Sequence, residues 1–333
     1  DCTMGSYRWK ALPLALTALF AALSFYPALC PSRGVLFLFF FGYLVLVPGA
    51  LLARRFAPGA RGAVLALASF VLGTAAVFAA LFVLALFRLD ITLIRIIVPA
   101  AVVALAVAKR REAEPEHART GMRDGRVGAP ALGVLVLIAI VSALVLRAED
   151  PILYTADSAD HMAYIRTVAR THEALPDRFY YADGGMLTRD IRKGMAHSLW
   201  GALLALTGGR DAVEVWTCIA LAGSAFFIIA VYAAGMLVFG SAWIGLAAAA
   251  LAVLLYDGGL AKLSLVSMGA GYIFGRAPYV AALAFGLSWI TTGGRSLLIL
   301  AVAAAFAASC SQVTHSGVLL FVVAYFTYSA HAH

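Results

Sequence analysis

Residues 154–168 read YTADSADHMAYIRTV, with Asp157, Asp160 and His161 inside five positions. Carboxylates and imidazoles are the side chains that take and return protons at neutral pH, so this spacing is a candidate for acid–base chemistry. The polar stretch continues through Asp177, Arg178, Asp183, Arg189, Asp190, Arg192, Lys193 and His197, with Tyr180 and Tyr181 among them. Acids, cations and aromatics gathered beside apolar segments form the inventory for binding a sugar and a phosphate where lipid meets water. Each residue also has a plainer role. Asp157 or Ser158 can cap a helix, worth about 1 kcal/mol. Asp160 suits a first turn facing the helix dipole, and the cations can face headgroups.

The elements that carry these residues are set by composition. Of 333 residues, 63% are hydrophobic and 13% charged, and mean hydropathy is +0.93. Soluble domains carry about 25% charged residues. Apolar runs long enough to cross a hydrocarbon layer recur along the chain. They are continuous rather than alternating, so helices are expected and a barrel is not. The expected spans are about 11–30, 35–53, 63–87, 92–108, 129–147, 213–238, 242–256, 277–292, 296–313 and 316–330. The fold class is therefore all-α: a polytopic integral membrane protein of about ten transmembrane helices.

Charge orients these spans. Arg8 and Lys10, then Arg54, Arg55 and Arg61, then the run from Lys109 to Arg126 fall in connections that share one side. The positive-inside rule makes that side cytoplasmic. The net charge of +8 is thus topological and does not point to nucleic acid. The fifth span delivers residues 148–195 to the outside of a plasma (inner) membrane. The segment 196–208, AHSLWGALLALTG, is short for a span and is expected to lie in the interface. Residues 157–173 place Met162, Ile165, Val168 and Ala169 on one side, with Asp160, Arg166, Arg170 and Glu173 on others. That pattern predicts a second helix lying on the membrane surface. The chain divides into an N-terminal four-helix region (1–108), a charged linker (109–128) and a membrane module (129–333) whose outer loop spans 148–208.

An outward loop after a span, holding an acid and then D-x-x-H-like text that opens a surface helix, resembles the GT-C glycosyltransferases. These include oligosaccharyltransferase catalytic subunits, protein mannosyltransferases and aminoarabinose transferases. HSLWGALLALTG resembles the family's second surface helix. YDGGLAKLSLVSMGAGYIFGRAPYV resembles its second outer loop, with Asp257 as the acid. The resemblance covers about 129–330. Four spans precede it, and FGYLVLVPGALLARRF (41–56) looks like the start of many bacterial envelope-polysaccharide membrane proteins. The C-terminal spans and soluble domain common in the family are absent or cut off.

The resemblance implies transfer of a sugar from a polyprenyl-phosphate donor to a glycan, lipid or protein acceptor of the cell envelope. Asp157 is the expected base, with Asp160 its nearest rival, because crowded carboxylates raise each other's pKa. His161, Arg189, Arg192, Lys193, His197, Asp257, Arg276 and His315 are the candidates for holding substrate or phosphate. Mg²⁺ or Mn²⁺ fits hard oxygen ligands such as Asp157 and Asp257, with Asp160 nearby. No other cofactor is implied. Membrane lipids and other envelope-assembly proteins are the expected partners. Two other classes fit the composition: a transporter or flippase for lipid-linked sugars, and a non-catalytic GT-C-like assembly subunit.

Overall fold

The computed structural model describes residues 2–108, 128–147, 156–180, 186–188, 194–209, 212–255 and 270–311. Helix α1 (Cys2–Phe25) leads through a 3-10 turn to α2 (Arg33–Phe41). Ser32 begins α2 by accepting the Val35 amide on its hydroxyl at 3.4 Å. A π-helical turn (Gly42–Leu46) joins α2 to α3 (Val47–Phe56). The widened turn precedes Pro48, which has no N–H to donate and whose ring crowds the carbonyl four residues back.

Next come α4 (Gly62–Leu86), a 3-10 turn (Ile91–Leu93), α5 (Ile94–Val107) and α6 (Ala129–Arg147). Helix α7 (Ala156–Thr171) is followed by strands β1 (Arg178–Tyr180) and β2 (Met186–Thr188), an antiparallel pair with Arg178 opposite Thr188. The last helices are α8 (Met195–Leu206), α9 (Val213–Phe239), α10 (Ala242–Leu255), α11 (Ala270–Thr292) and α12 (Arg295–Ser311). Among the described residues the protein is helical apart from this short ribbon. Among the described residues, four helical stretches are long and apolar enough to cross a membrane: Arg33–Phe56, Gly62–Leu86, Ala129–Arg147 and Val215–Phe239.

Small residues set how closely these helices approach. A Cβ on Gly49 would overlap the Ser69 carbonyl, and one on Gly73 would overlap the Val45 carbonyl. Helices α3 and α4 therefore meet backbone to backbone, as glycine allows between membrane helices. Aromatic side chains bind the N-terminal helices to the rest. Phe37 and Phe41 of α2 lie 5.9 and 5.5 Å from Trp200 of α8, and Phe70 of α4 stacks on Phe226 of α9 at 4.2 Å. Residues before and after the 109–128 linker thus share one core.

Contacts sort the helix termini into two ends. At one, Arg55 Nη2 donates to the Ala108 carbonyl at 3.2 Å, joining the exits of α3 and α5. At the other, the Arg95 guanidinium lies 4.6 Å over the Phe25 ring, joining the exit of α1 to the entry of α5. Here the Ile91 amide donates to the His172 carbonyl at 2.8 Å, which brings in the exit of α7. Cys218 Sγ donates to the Gly34 carbonyl at 3.6 Å, which brings in the entries of α2 and α9. Both ends of α8 lie at this second end. Gly194 abuts the Cys310 carbonyl at the exit of α12, and Gly208 abuts Pro27. Helix α8 thus runs across the bundle rather than through it.

The expectation that these surface helices leave a polar face open needs correction. A helix on a surface leaves one face open, yet residues 162–169 of α7 are all buried, Arg166 and Thr167 included. In α8 every residue but Ala205 is buried. Residues 162–169 of α7 and nearly all of α8 are enclosed by protein.

Candidate functional site

Helices α7 and α8 cross where Gly201 leaves room. A Cβ there would overlap the Val168 side chain and come within 3.0 Å of the Ile165 carbonyl. The Ser198 hydroxyl donates to the Ala174 carbonyl, tying α8 to the segment that leaves α7. Trp200 faces α2 and is fully buried. These contacts fix the rotation of both helices, and the rotation decides which polar side chains meet.

The side chains that meet are histidines. His161 Nδ1 lies 2.6 Å from His197 Nε2. The ring centroids are 4.8 Å apart and the planes differ by 15°. With nitrogens so much closer than centroids, the rings meet end to end in nearly one plane. That is the geometry of an N–H···N hydrogen bond in which either ring can donate. The Tyr164 ring meets His197 edge-on at 5.7 Å. His197 is 1% exposed, whereas His161 is half-buried.

Charged residues lie on the helices that carry the pair or pack against them. Asp160 is half-buried beside His161. Arg166 is 8% exposed and Arg276 9% exposed. A guanidinium stays ionised even when buried, so both carry positive charge into the protein. Arg276 stands near the start of α11, which packs against α8. Arg166 was expected on a solvated face. Nothing in its spacing marks it as buried, because the helix pattern assumes that water lies opposite the apolar side.

The backbone places Asp157 and Ser158 as the second and third residues of α7, which begins at Ala156. They are first-turn residues rather than the cap. Asp157 precedes His161 by four positions, the interval that puts two positions on one helix face. The side chain of Asp157 lies outside the described residues, as do Arg189, Arg192, Lys193, Asp257 and His315. Of the expected site residues, His161 and His197 are in direct contact, Asp160 adjoins His161 in sequence, and Arg276 lies on a helix packed against α8.

Among the described residues no three His, Cys, Asp or Glu side chains cluster closely enough to hold a metal ion. The facing nitrogens of His161 and His197 are bonded to each other, which turns them away from any cation. The Mg²⁺ or Mn²⁺ expectation rests on Asp157 and Asp257, whose side chains are outside the described set.

No family model, curated protein or solved structure matches the chain.

Proposed function

We propose that the protein is an integral membrane glycosyltransferase of GT-C type with about ten spans. It transfers a sugar from a polyprenyl-phosphate donor to an envelope acceptor at the non-cytoplasmic face. The observation that carries this reading is that His161 and His197 lie at the end of the bundle opposite the 54–61 arginines. Arg54, Arg55 and Arg61 lie at the end joined by the Arg55–Ala108 bond. His161, His197 and the α7 exit lie with the opposite end. The positive-inside rule assigns to the cytoplasm the end that carries Arg54, Arg55 and Arg61 and from which the basic 109–126 run continues in sequence; acid–base groups then face the side where lipid-linked sugars are used.

In this mechanism a carboxylate in the first turn of α7 accepts the acceptor's proton as its oxygen attacks the sugar's anomeric carbon. Asp157 is assigned that role, with Asp160 as the alternate. The bond from carbon to phosphate oxygen breaks, and the electron pair leaves with the phosphate. Arg276 meets the growing negative charge with fixed positive charge, the arrangement that lowers such barriers most. Arg189, Arg192 and Lys193 are the further cations assigned to the donor phosphate.

The test is sugar transfer by the purified full chain from a panel of radiolabelled polyprenyl-phosphate sugars, wild type beside Asp157→Asn. Transfer lost in the folded variant supports Asp157 as base. Equal transfer by both moves the role to Asp160. No transfer by either, with every donor tried, rejects the glycosyltransferase assignment in favour of a transporter or an assembly subunit.

A further inference from the structure

We propose that His161 and His197 form a two-ring proton relay that accepts one proton at a time from the reaction centre. The substrate chemistry rests on the glycosyl-transfer reading above; the proton chemistry rests on the pair itself.

Two neutral imidazoles joined by one N–H···N bond leave two outer nitrogens, His161 Nε2 and His197 Nδ1. One of these carries a hydrogen and the other a lone pair. A proton arriving at the lone pair leaves the bond intact and makes it charge-assisted, hence stronger. In the tautomer that donates from His161 Nδ1, a proton added at His161 Nε2 lets the bridging proton pass to His197. A second proton would set two N–H groups against each other and break the bond. The pair therefore takes up a single proton and titrates as one unit rather than as two residues.

Its position suits a relay. His161 is half-buried and lies four residues after Asp157, while His197 is 1% exposed and buried in the protein. The pair thus runs from the face of α7 that carries the proposed base into the core. In the transfer step the acceptor O–H bond breaks, the oxygen–sugar bond forms, and the sugar–phosphate bond breaks toward the phosphate. The proton goes first to the carboxylate and then to His161. The carboxylate is ionised again for the next turnover, and the pair later releases its proton to water.

The charged groups on elements packed around the pair set its electrostatics. Helix α7 brings Asp160 and Arg166, α2 brings Arg33 at its first residue, and α11 brings Arg276. The turn before α5 brings Asp90, and β1 brings Arg178. Helix α4 has no charged residue, and the one in α12, Arg295, stands at its opposite terminus.

The experiment has two arms on the full chain in lipid nanodiscs. The first is ¹⁵N NMR of histidine-labelled wild type across pH, with His161→Gln and His197→Gln used to assign signals. The relay predicts that both rings shift together over one transition, with uptake of one proton for the two. Independent transitions of the two rings overturn it. The second arm measures transfer by His197→Gln, which removes the buried ring of the pair. The relay predicts a kcat lowered about tenfold or more, an unchanged donor KM, and loss of the acidic limb of the pH–rate profile. Unchanged kcat and pH profile overturn the relay. If wild type shows no transfer, the glycosyltransferase assignment fails and the NMR arm alone decides the pair.

Discussion

His172 Nδ1 lies 3.3 Å from Asp90 Oδ2, and the His172 carbonyl accepts the Ile91 amide at 2.8 Å. These two residues lock the α4–α5 turn onto the end of α7. Asp90 also caps the turn that follows it, accepting the Thr92 amide and hydroxyl, each at 2.7 Å. His172 stops α7 by adopting a left-handed backbone at φ 60°.

Asp90 makes acid stability predictable in sign. Partial burial raises its carboxyl pKa, but the Thr92 hydroxyl, the Thr92 amide and His172 together hold it below the ordinary value of 3.8. A group with a depressed folded pKa contributes stability above its unfolded pKa and loses it as pH falls through the folded value. Asp90→Asn should cost about 1 kcal/mol or less near neutrality, since both side chains are largely exposed. The gap between variant and wild type should close below pH 3.8. Thermal melts across pH in detergent check this, and a gap that stays constant into acid contradicts it.

Helix α8 should leave its flanking residues on one side of the membrane. With native cysteines replaced, Glu173→Cys and Val213→Cys should react with an impermeant maleimide from the same side. Arg55→Cys should react only from the other. Opposite labelling of positions 173 and 213 would mean that α8 crosses.

Gly73 tests the contact between α3 and α4. Because an added Cβ would meet backbone at Val45 rather than a movable side chain, Gly73→Ala should destabilise by about 1–3 kcal/mol. Gly286 lies in α11 with nothing within 4 Å of an added Cβ. Gly286→Ala is therefore the matched control and should melt no lower than wild type. Equal melting of the two variants would refute the close approach.

Trp200 joins α8 to the N-terminal helices. It is fully buried and packs near Phe37 and Phe41. Trp200→Ala should cost about 3–5 kcal/mol, while Trp200→Phe should restore much of it. Chemical denaturation in mixed micelles reads both. A Trp200→Ala variant as stable as wild type would show that this aromatic contact does not hold the two regions together.

Much of this protein is legible along the chain. Composition and run length predict apolar helices, and the positions of arginines separate two ends. The text from Asp157 to His161 stands out because charge is scarce. These are local properties, so they survive without knowledge of packing. The pairing of His161 with His197, 36 positions apart, is different. It depends on how α7 and α8 rotate against each other, and hence on Gly201, Val168 and Trp200. The inward turn of Arg166, the burial of α8 and the contact of Asp90 with His172 are likewise decided by packing. Helical periodicity finds an apolar face by contrast with water. Where lipid is as apolar as the protein interior, that contrast fails, and only the tertiary structure decides which faces meet protein.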